Sequence, residues 1–172
     1  ATVQLVGNAQ FQAAGTVAQR KAVVLLKNGA TPSAPPLPLT GRRKLYVENI
    51  APAVANAYGD VVQTVAEADL AILRLTTPWE QREGNLLERM FHAGDLDFKE
   101  PESSRLLAIL AQVPTIVVIH LDRPAVIPEL AQTCAALLGE FGASDAAVLD
   151  VLWGKFNPTG KLPFELPSSM DA

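Results

Sequence analysis

The sequence predicts an α/β fold, a three-layer sandwich in which a mostly parallel sheet carries helices on both faces. Three observations lead there. Short apolar runs such as Val23-Val24-Leu25-Leu26, residues 70–75 and residues 115–120 read as strands buried on both sides, whereas a strand with one wet face would alternate apolar and polar residues. Between these runs lie stretches with apolar residues at helical spacing, and that alternation is the pattern of parallel strands joined by crossover helices. The length, 172 residues and 18.3 kDa, is that of one ordinary domain, long enough to bury a core.

The elements follow in order. Residues 11–21 read as a helix, with Ala13, Ala14, Val17, Ala18 and Lys21 spaced for one face. The run 23–26 is a strand stopped by Asn28-Gly29. Residues 31–38 hold Pro32, Pro35, Pro36 and Pro38; proline lacks an N–H donor and fixes φ, so this stretch is an extended surface linker. Residues 44–48 form a second strand, 51–58 a short helix with Pro52 in its first turn and Gly59 at its end, 61–65 a short strand, and 70–75 a clear strand. Periodicity then fails over residues 76–99, which contain Pro78, Gly84, Gly94 and several carboxylates. A connection longer than about 12–15 residues in a compact domain is as a rule functional or disordered. A helix runs from Pro101 to about Gln112, Pro114 opens the strand 115–120, Pro124 and Pro128 bracket a turn and a helix start, and 135–138 is a short strand. Ser144 is the N-cap of a helix to about Leu152 that Gly154 ends, and Asn157-Pro158-Thr159-Gly160 is a turn before the extended segment 162–167. There is no internal repeat.

Composition excludes several classes of function. Hydrophobic residues make up 49% and charged residues 19%, which rules out intrinsic disorder. A single cysteine, Cys134, rules out a disulfide scaffold and reads as a small buried apolar residue. A net charge of −4 argues against a nucleic-acid partner, which would need clustered Lys and Arg. No apolar run approaches the ~18 residues of a membrane span. The charged share is also low for a free domain, where about 25% is usual, so part of the surface is expected to be covered by a partner.

Candidate chemistry narrows to carboxylates. There is no phosphate loop and no Gly-x-Gly-x-x-Gly after a strand, hence no motif for a nucleotide cofactor. His92, His120 and Cys134 lack metal-ligand spacing, and no serine sits in a nucleophile elbow. The 76–99 segment holds Glu80, Glu83, Glu88, Asp95 and Asp97. Glu80 stands out because it follows Pro78-Trp79 directly after an apolar strand. A carboxyl beside a large apolar ring is harder to ionise, as a general acid requires. Sites in open α/β sheets form at the carboxyl ends of strands, where this segment begins.

Several segments taken together resemble the C-terminal domain of family 3 glycoside hydrolases, the β-glucosidase-like enzymes. They are Ala18-Gln19-Arg20-Lys21-Ala22-Val23-Val24-Leu25-Leu26-Lys27-Asn28 with Leu37-Pro38-Leu39, Ala68-Asp69-Leu70-Ala71-Ile72-Leu73-Arg74-Leu75, Phe91-His92-Ala93-Gly94-Asp95-Leu96-Asp97-Phe98 and Leu121-Asp122-Arg123-Pro124-Ala125-Val126-Ile127. The most specific runs from Phe141-Gly142-Ala143-Ser144-Asp145 to Trp153-Gly154-Lys155-Phe156-Asn157-Pro158-Thr159-Gly160-Lys161-Leu162-Pro163-Phe164. The likeness covers about residues 15–168.

The resemblance implies a retaining exo-acting β-glycosidase that needs no cofactor and no metal. A preceding (β/α)8 barrel would carry the aspartate nucleophile, so residues 1–172 would be one domain of a longer chain, truncated at both ends and inactive alone. The domain would pack on the barrel and supply the acid/base glutamate from the loop after the strand 70–75. Glu80 is the first candidate and Glu83, just before Gly84, the second. Trp79 and His92 would line the site for a β-linked glucoside, Asp122 and Arg123 would be strand-exit or interdomain contacts, and Asp150 a landmark of the fold. The resemblance also implies a periplasmic or secreted location. The competing reading is a non-catalytic flavodoxin-like module that binds a small ligand or serves as a scaffold. A receiver would need acidic residues at the end of its first strand, where this chain has Lys27-Asn28-Gly29.

Overall fold

A computed structural model describes residues 5–29 and 37–171. Thirteen elements run in the order α1 (Ala9–Ala22), β1 (Val24–Asn28), β2 (Lys44–Glu48), α2 (Pro52–Ala55), β3 (Asp60–Val61), a 3-10 turn (Val65–Glu67), β4 (Leu70–Thr76), α3 (Leu86–Met90), α4 (Glu102–Gln112), β5 (Thr115–His120), α5 (Pro128–Thr133), β6 (Ala136–Glu140) and α6 (Asp145–Leu152). The proline linker expected over 31–38 falls, except for Leu37 and Pro38, outside the described residues.

The strands form one six-stranded sheet in the order β1-β6-β5-β4-β2-β3. Five are parallel, and β1 joins β6 antiparallel at the edge. Successive residues of β4 feed opposite cores. Leu70 and Ile72 face the layer that contains α2 and α6, whereas Ala71, Leu73 and Leu75 face the layer that contains α4 and α5. The same alternation splits β5 into Ile116 and Val118 on one side and Val117 and Ile119 on the other. A strand buried on both faces has no polar period to show, which is why these runs read as continuously apolar.

Four expectations need correction. The first strand is not the first of the parallel set: β1 is an antiparallel edge, and the doubly wound order β3-β2-β4-β5-β6 begins at β2, with its switch point between β2 and β4. The receiver comparison therefore belongs at Glu48, which Arg105 of α4 holds by two bonds of 2.7 and 2.9 Å. Lys27 of β1 instead donates to the carbonyls of Ala131, Gln132 and Cys134 at 2.7–2.9 Å, capping the end of α5. The strand expected over 61–65 reduces to Asp60–Val61, because Thr64 and Glu67 form a reciprocal capping box that turns the chain. The helix expected over 51–58 shrinks to Pro52–Ala55, and the strand expected over 135–138 shifts to Ala136–Glu140.

The Ser144 cap holds: its side chain accepts from the Ala147 N–H, and α6 runs to Leu152 with Gly154 at φ +68°. Cys134 is buried, and burial pushes its thiol up, away from reactivity. No helix among the described residues is long and apolar enough to cross a membrane.

Asp150 is the polar centre of the α6 layer. It is only 5% exposed, accepts a 2.6 Å bond from the Tyr58 hydroxyl, and pairs with Arg20 of α1 and with Lys155. Burial pushes this carboxyl up, but Tyr58, Arg20 and Lys155 together hold it below its ordinary value. A lowered folded value stabilises the fold above the unfolded Asp pKa of about 3.9, and the effect is lost as pH falls through the folded value. Asp150→Ala is expected to lower the melting temperature at pH 7 by roughly 6–12 °C, from about 3 kcal/mol lost when buried partners go unpaired. Calorimetry should show the gap to wild type closing as the pH is taken below about 3. A variant melting within about 1 °C of wild type at pH 7 would remove Asp150 from this role.

Candidate functional site

The site grows from the carboxyl ends of β4 and β5. These strands pair in register to their last residues, Thr76 opposite His120. Thr77 continues the contact: its N–H donates to the His120 carbonyl at 3.1 Å, and its buried hydroxyl donates to the carbonyls of His120 and Arg123 at 2.9 and 3.2 Å. The exits of both strands are thereby tied together before either loop begins.

The segment 77–99 is more ordered than its lack of periodicity implies. It folds back on itself through a bridge between Glu80 and Ala93, with the Glu80 N–H donating to the Ala93 carbonyl at 2.8 Å. The short helix α3 occupies the outer end of the excursion. On the returning limb, Gly94 has φ +82°, and a Cβ there would lie 2.5 Å from Oε2 of Glu80. The Glu80 side chain crosses the space that only glycine leaves open. Arg123 donates from Nη2 to the Gly94 carbonyl at 2.6 Å, which ties the limb to the exit of β5.

Two aromatic side chains and a carboxylate meet beside this bridge. The rings of Trp79 and His92 stack at 4.5 Å and 9°. Nδ1 of His92 is hydrogen-bonded to the carboxylate of Asp122, the residue that follows Leu121 out of β5. Glu80 is exposed, and its carboxylate has no hydrogen bond or ion pair among the described residues. Trp79, the residue before Glu80, lies against His92.

The other carboxylates divide by partner. Glu83 is exposed beyond the bridge, on the way to α3, and among the described residues it makes no hydrogen bond or ion pair with Trp79 or His92. Asp95 and Asp97 are taken by Lys99, at 2.7 and 2.8 Å, and the Lys99 ammonium holds Asp97 below its ordinary range. The side chain of Glu88 lies outside the described residues. Asp122 and Arg123, expected as strand-exit or interdomain contacts, do lie at the exit of β5, against His92 and the Gly94 carbonyl. The available signal was their position just past an apolar strand, the same signal that singled out Glu80.

A second polar group sits at the switch point, around a cavity of about 400 Å³ lined by Asn49, Arg74, Thr76, His120, Glu140 and Gly142. Glu140 is fully buried and accepts from Arg74 at 3.0 Å and from the N–H groups of Gly142 and Ala143 at 2.6 and 2.7 Å, with Nδ1 of His120 at 3.2 Å. Arg74 also pairs with Asp145, and Asn49 donates to the Arg74 carbonyl at 2.8 Å. Each charge here already has its complement, so the group binds strand ends together rather than awaiting a small ligand.

A charge-assisted bond contributes about 1.5 kcal/mol, or tenfold in an opening equilibrium. Arg123→Ala is accordingly expected to speed amide exchange over residues 92–96 by about tenfold while leaving the β4 and β5 amides protected. Unchanged exchange on the returning limb would show that Arg123 does not restrain it.

Comparisons with known proteins bear on this geometry. The profile described as "Glycosyl hydrolase family 3 C-terminal domain" matches residues 8–172. β-Glucosidase C of Emericella nidulans is 45% identical over 98% of this chain, and the periplasmic β-glucosidase/β-xylosidase of Dickeya chrysanthemi is 35% identical over 98%. The chain spans 27% and 26% of those two proteins. Among solved structures, a β-glucosidase from Erythrobacter marinus superposes with a TM-score of 0.75 at 19% identity, over 93% of this chain and 30% of that one. A β-glucosidase from Listeria innocua in complex with glucose superposes at 0.73, also at 19% identity, over 95% and 28%. The chain therefore belongs to the glycosyl hydrolase family 3, as its C-terminal domain.

Proposed function

We propose that this chain is the acid/base-supplying domain of a retaining, exo-acting β-glycosidase of the β-glucosidase type, with Glu80 as the acid/base. The observation that carries the reading is Glu80, whose backbone is held by a bridge at a strand-end site and whose carboxylate has no cationic partner among the described residues. In the whole enzyme, an aspartate from a preceding (β/α)8 barrel attacks the anomeric carbon. Glu80, carrying its proton, gives that proton to the departing glycosidic oxygen. As a carboxylate it then takes a proton from water, whose oxygen attacks the anomeric carbon and releases the sugar and the aspartate. The two carboxyls of such an enzyme stand about 5–5.5 Å apart, so the loop must reach across to the barrel.

The stacked rings of Trp79 and His92 beside Glu80 offer an exposed aromatic surface to a glucoside. The surface of α3 supports the barrel as partner: Leu86, Leu87, Met90 and Phe91 are all exposed, and clustered apolar exposure marks an interaction surface. It also accounts for the low charge of the chain. The reading includes a location outside the cytoplasm, in keeping with the name of the Dickeya relative.

In the full-length protein, Glu80→Ala is expected to lower kcat on cellobiose by about 10²- to 10⁴-fold. Azide should restore turnover of 4-nitrophenyl β-glucoside, because a good leaving group needs no acid and azide replaces the activated water. Glu83→Ala should stay within about twofold of wild type, like other exposed substitutions. The isolated chain should not turn over the aryl glucoside. Wild-type kinetics in Glu80→Ala, with loss in Glu83→Ala, would transfer the role.

A further inference from the structure

We infer that Asp122 is a positioning residue that fixes His92 so that its Nε2 atom presents a hydrogen-bond acceptor to a substrate hydroxyl beside Glu80. This inference rests on the glycosidase reading above and adds to it a residue and an atom-level task.

Two restraints hold the His92 ring, and they come from different strands. Trp79, just past β4, fixes the ring plane by stacking at 4.5 Å and 9°. Asp122, just past β5, fixes rotation within that plane by engaging Nδ1. An ionised carboxylate only accepts, so Nδ1 must carry the proton, and the lone pair of the neutral ring is then on Nε2. Nε2 has no partner among the described residues, and the His92 side chain is 39% exposed. The ring therefore has one committed nitrogen and one unused one.

Asp122 is as singular in its contacts. His92 is its one polar partner among the described residues; the adjacent Arg123 turns instead to the Gly94 carbonyl. The other imidazole–carboxylate pair of the chain differs on this point. Glu140 meets His120 only as one of several partners and is already held by Arg74 and two backbone N–H groups. A carboxylate committed to one exposed imidazole, which is itself stacked on an exposed indole, adds little to stability. What it secures is the tautomer and orientation of a ring whose chain neighbour, Ala93, is bridged to Glu80.

The test is a double-mutant cycle in the full-length enzyme, with cellobiose as substrate. Asp122→Asn can donate to Nδ1, which favours the other tautomer and removes the acceptor at Nε2. KM is expected to rise about tenfold, the worth of one hydrogen bond, with kcat within about twofold, because the contact exists in both the bound and transition states. In a His92→Ala background the same substitution should add nothing. Asp122→Glu, which keeps the carboxylate, should recover at least part of the affinity. A purely structural role would instead lower the melting temperature and act equally in both backgrounds. An unchanged KM in Asp122→Asn, or an equal rise with and without His92, overturns the inference even if Glu80→Ala behaves as expected. Full activity in Glu80→Ala overturns the acid/base reading, whatever Asp122 does. If Asp122→Asn fails to fold, the comparison of Asp122→Glu with His92→Ala decides: matched losses of affinity overturn the inference, and retention by Asp122→Glu alone sustains it.

Discussion

The pairing of β4 with β5 is the contact on which the rest depends. Its register runs unbroken to Thr76 and His120, and Thr77 extends it by three further bonds to the carbonyls of His120 and Arg123. Two loops leave the sheet from this one clamp. The first carries Trp79, Glu80 and His92, and the second carries Asp122 and Arg123. A shift of one residue in the pairing would reverse which side chains face each core and would separate the two exits. The site is thus a consequence of strand register before it is a matter of any one side chain.

Charge is arranged around that clamp in two ways. Beneath the loops, Arg74, Glu140 and Asp145 form a closed network, with Glu140 fully buried and its lone pairs taken. Burying such charges is tolerable only when each is paired, and the effect is to hold the ends of β4 and β6 and the start of α6 in one relation. Above, the pattern is looser. Among the described residues Glu80 has no cationic partner and Asp122 has only His92, while Lys99 pairs with Asp95 and Asp97. The saturated layer gives rigidity, and the looser layer leaves the Glu80 side chain exposed.

The segment 77–99 shows why function and disorder are hard to tell apart by periodicity. It has one short helix and two isolated bridges, Glu80 to Ala93 within the segment and Asp97 to Val126 beyond β5, with no regular repeat between them. Its order comes from Gly94, whose missing side chain admits that of Glu80, and from Arg123, which reaches in from another loop. The apolar side chains Leu86, Leu87 and Met90 of α3 remain exposed.

By itself the sequence determined the layered α/β class, the central strands, the helix from the Ser144 cap, the buried Cys134 and the family, because these rest on local composition and on residue order along the chain. It also drew attention to Glu80, Glu83, Trp79 and His92, which share one stretch. Tertiary structure alone decided which of these act together. The antiparallel placement of β1, the shortening of the strand after Asp60, the turning of Trp79 toward His92 and the joining of Asp122 and Arg123 to the loop all depend on contacts between distant segments. His92 and Asp122 are 30 residues apart, and Arg74 and Glu140 are 66 apart. No periodicity encodes such pairs; they appear only when the parallel register brings the ends of separate strands to one edge.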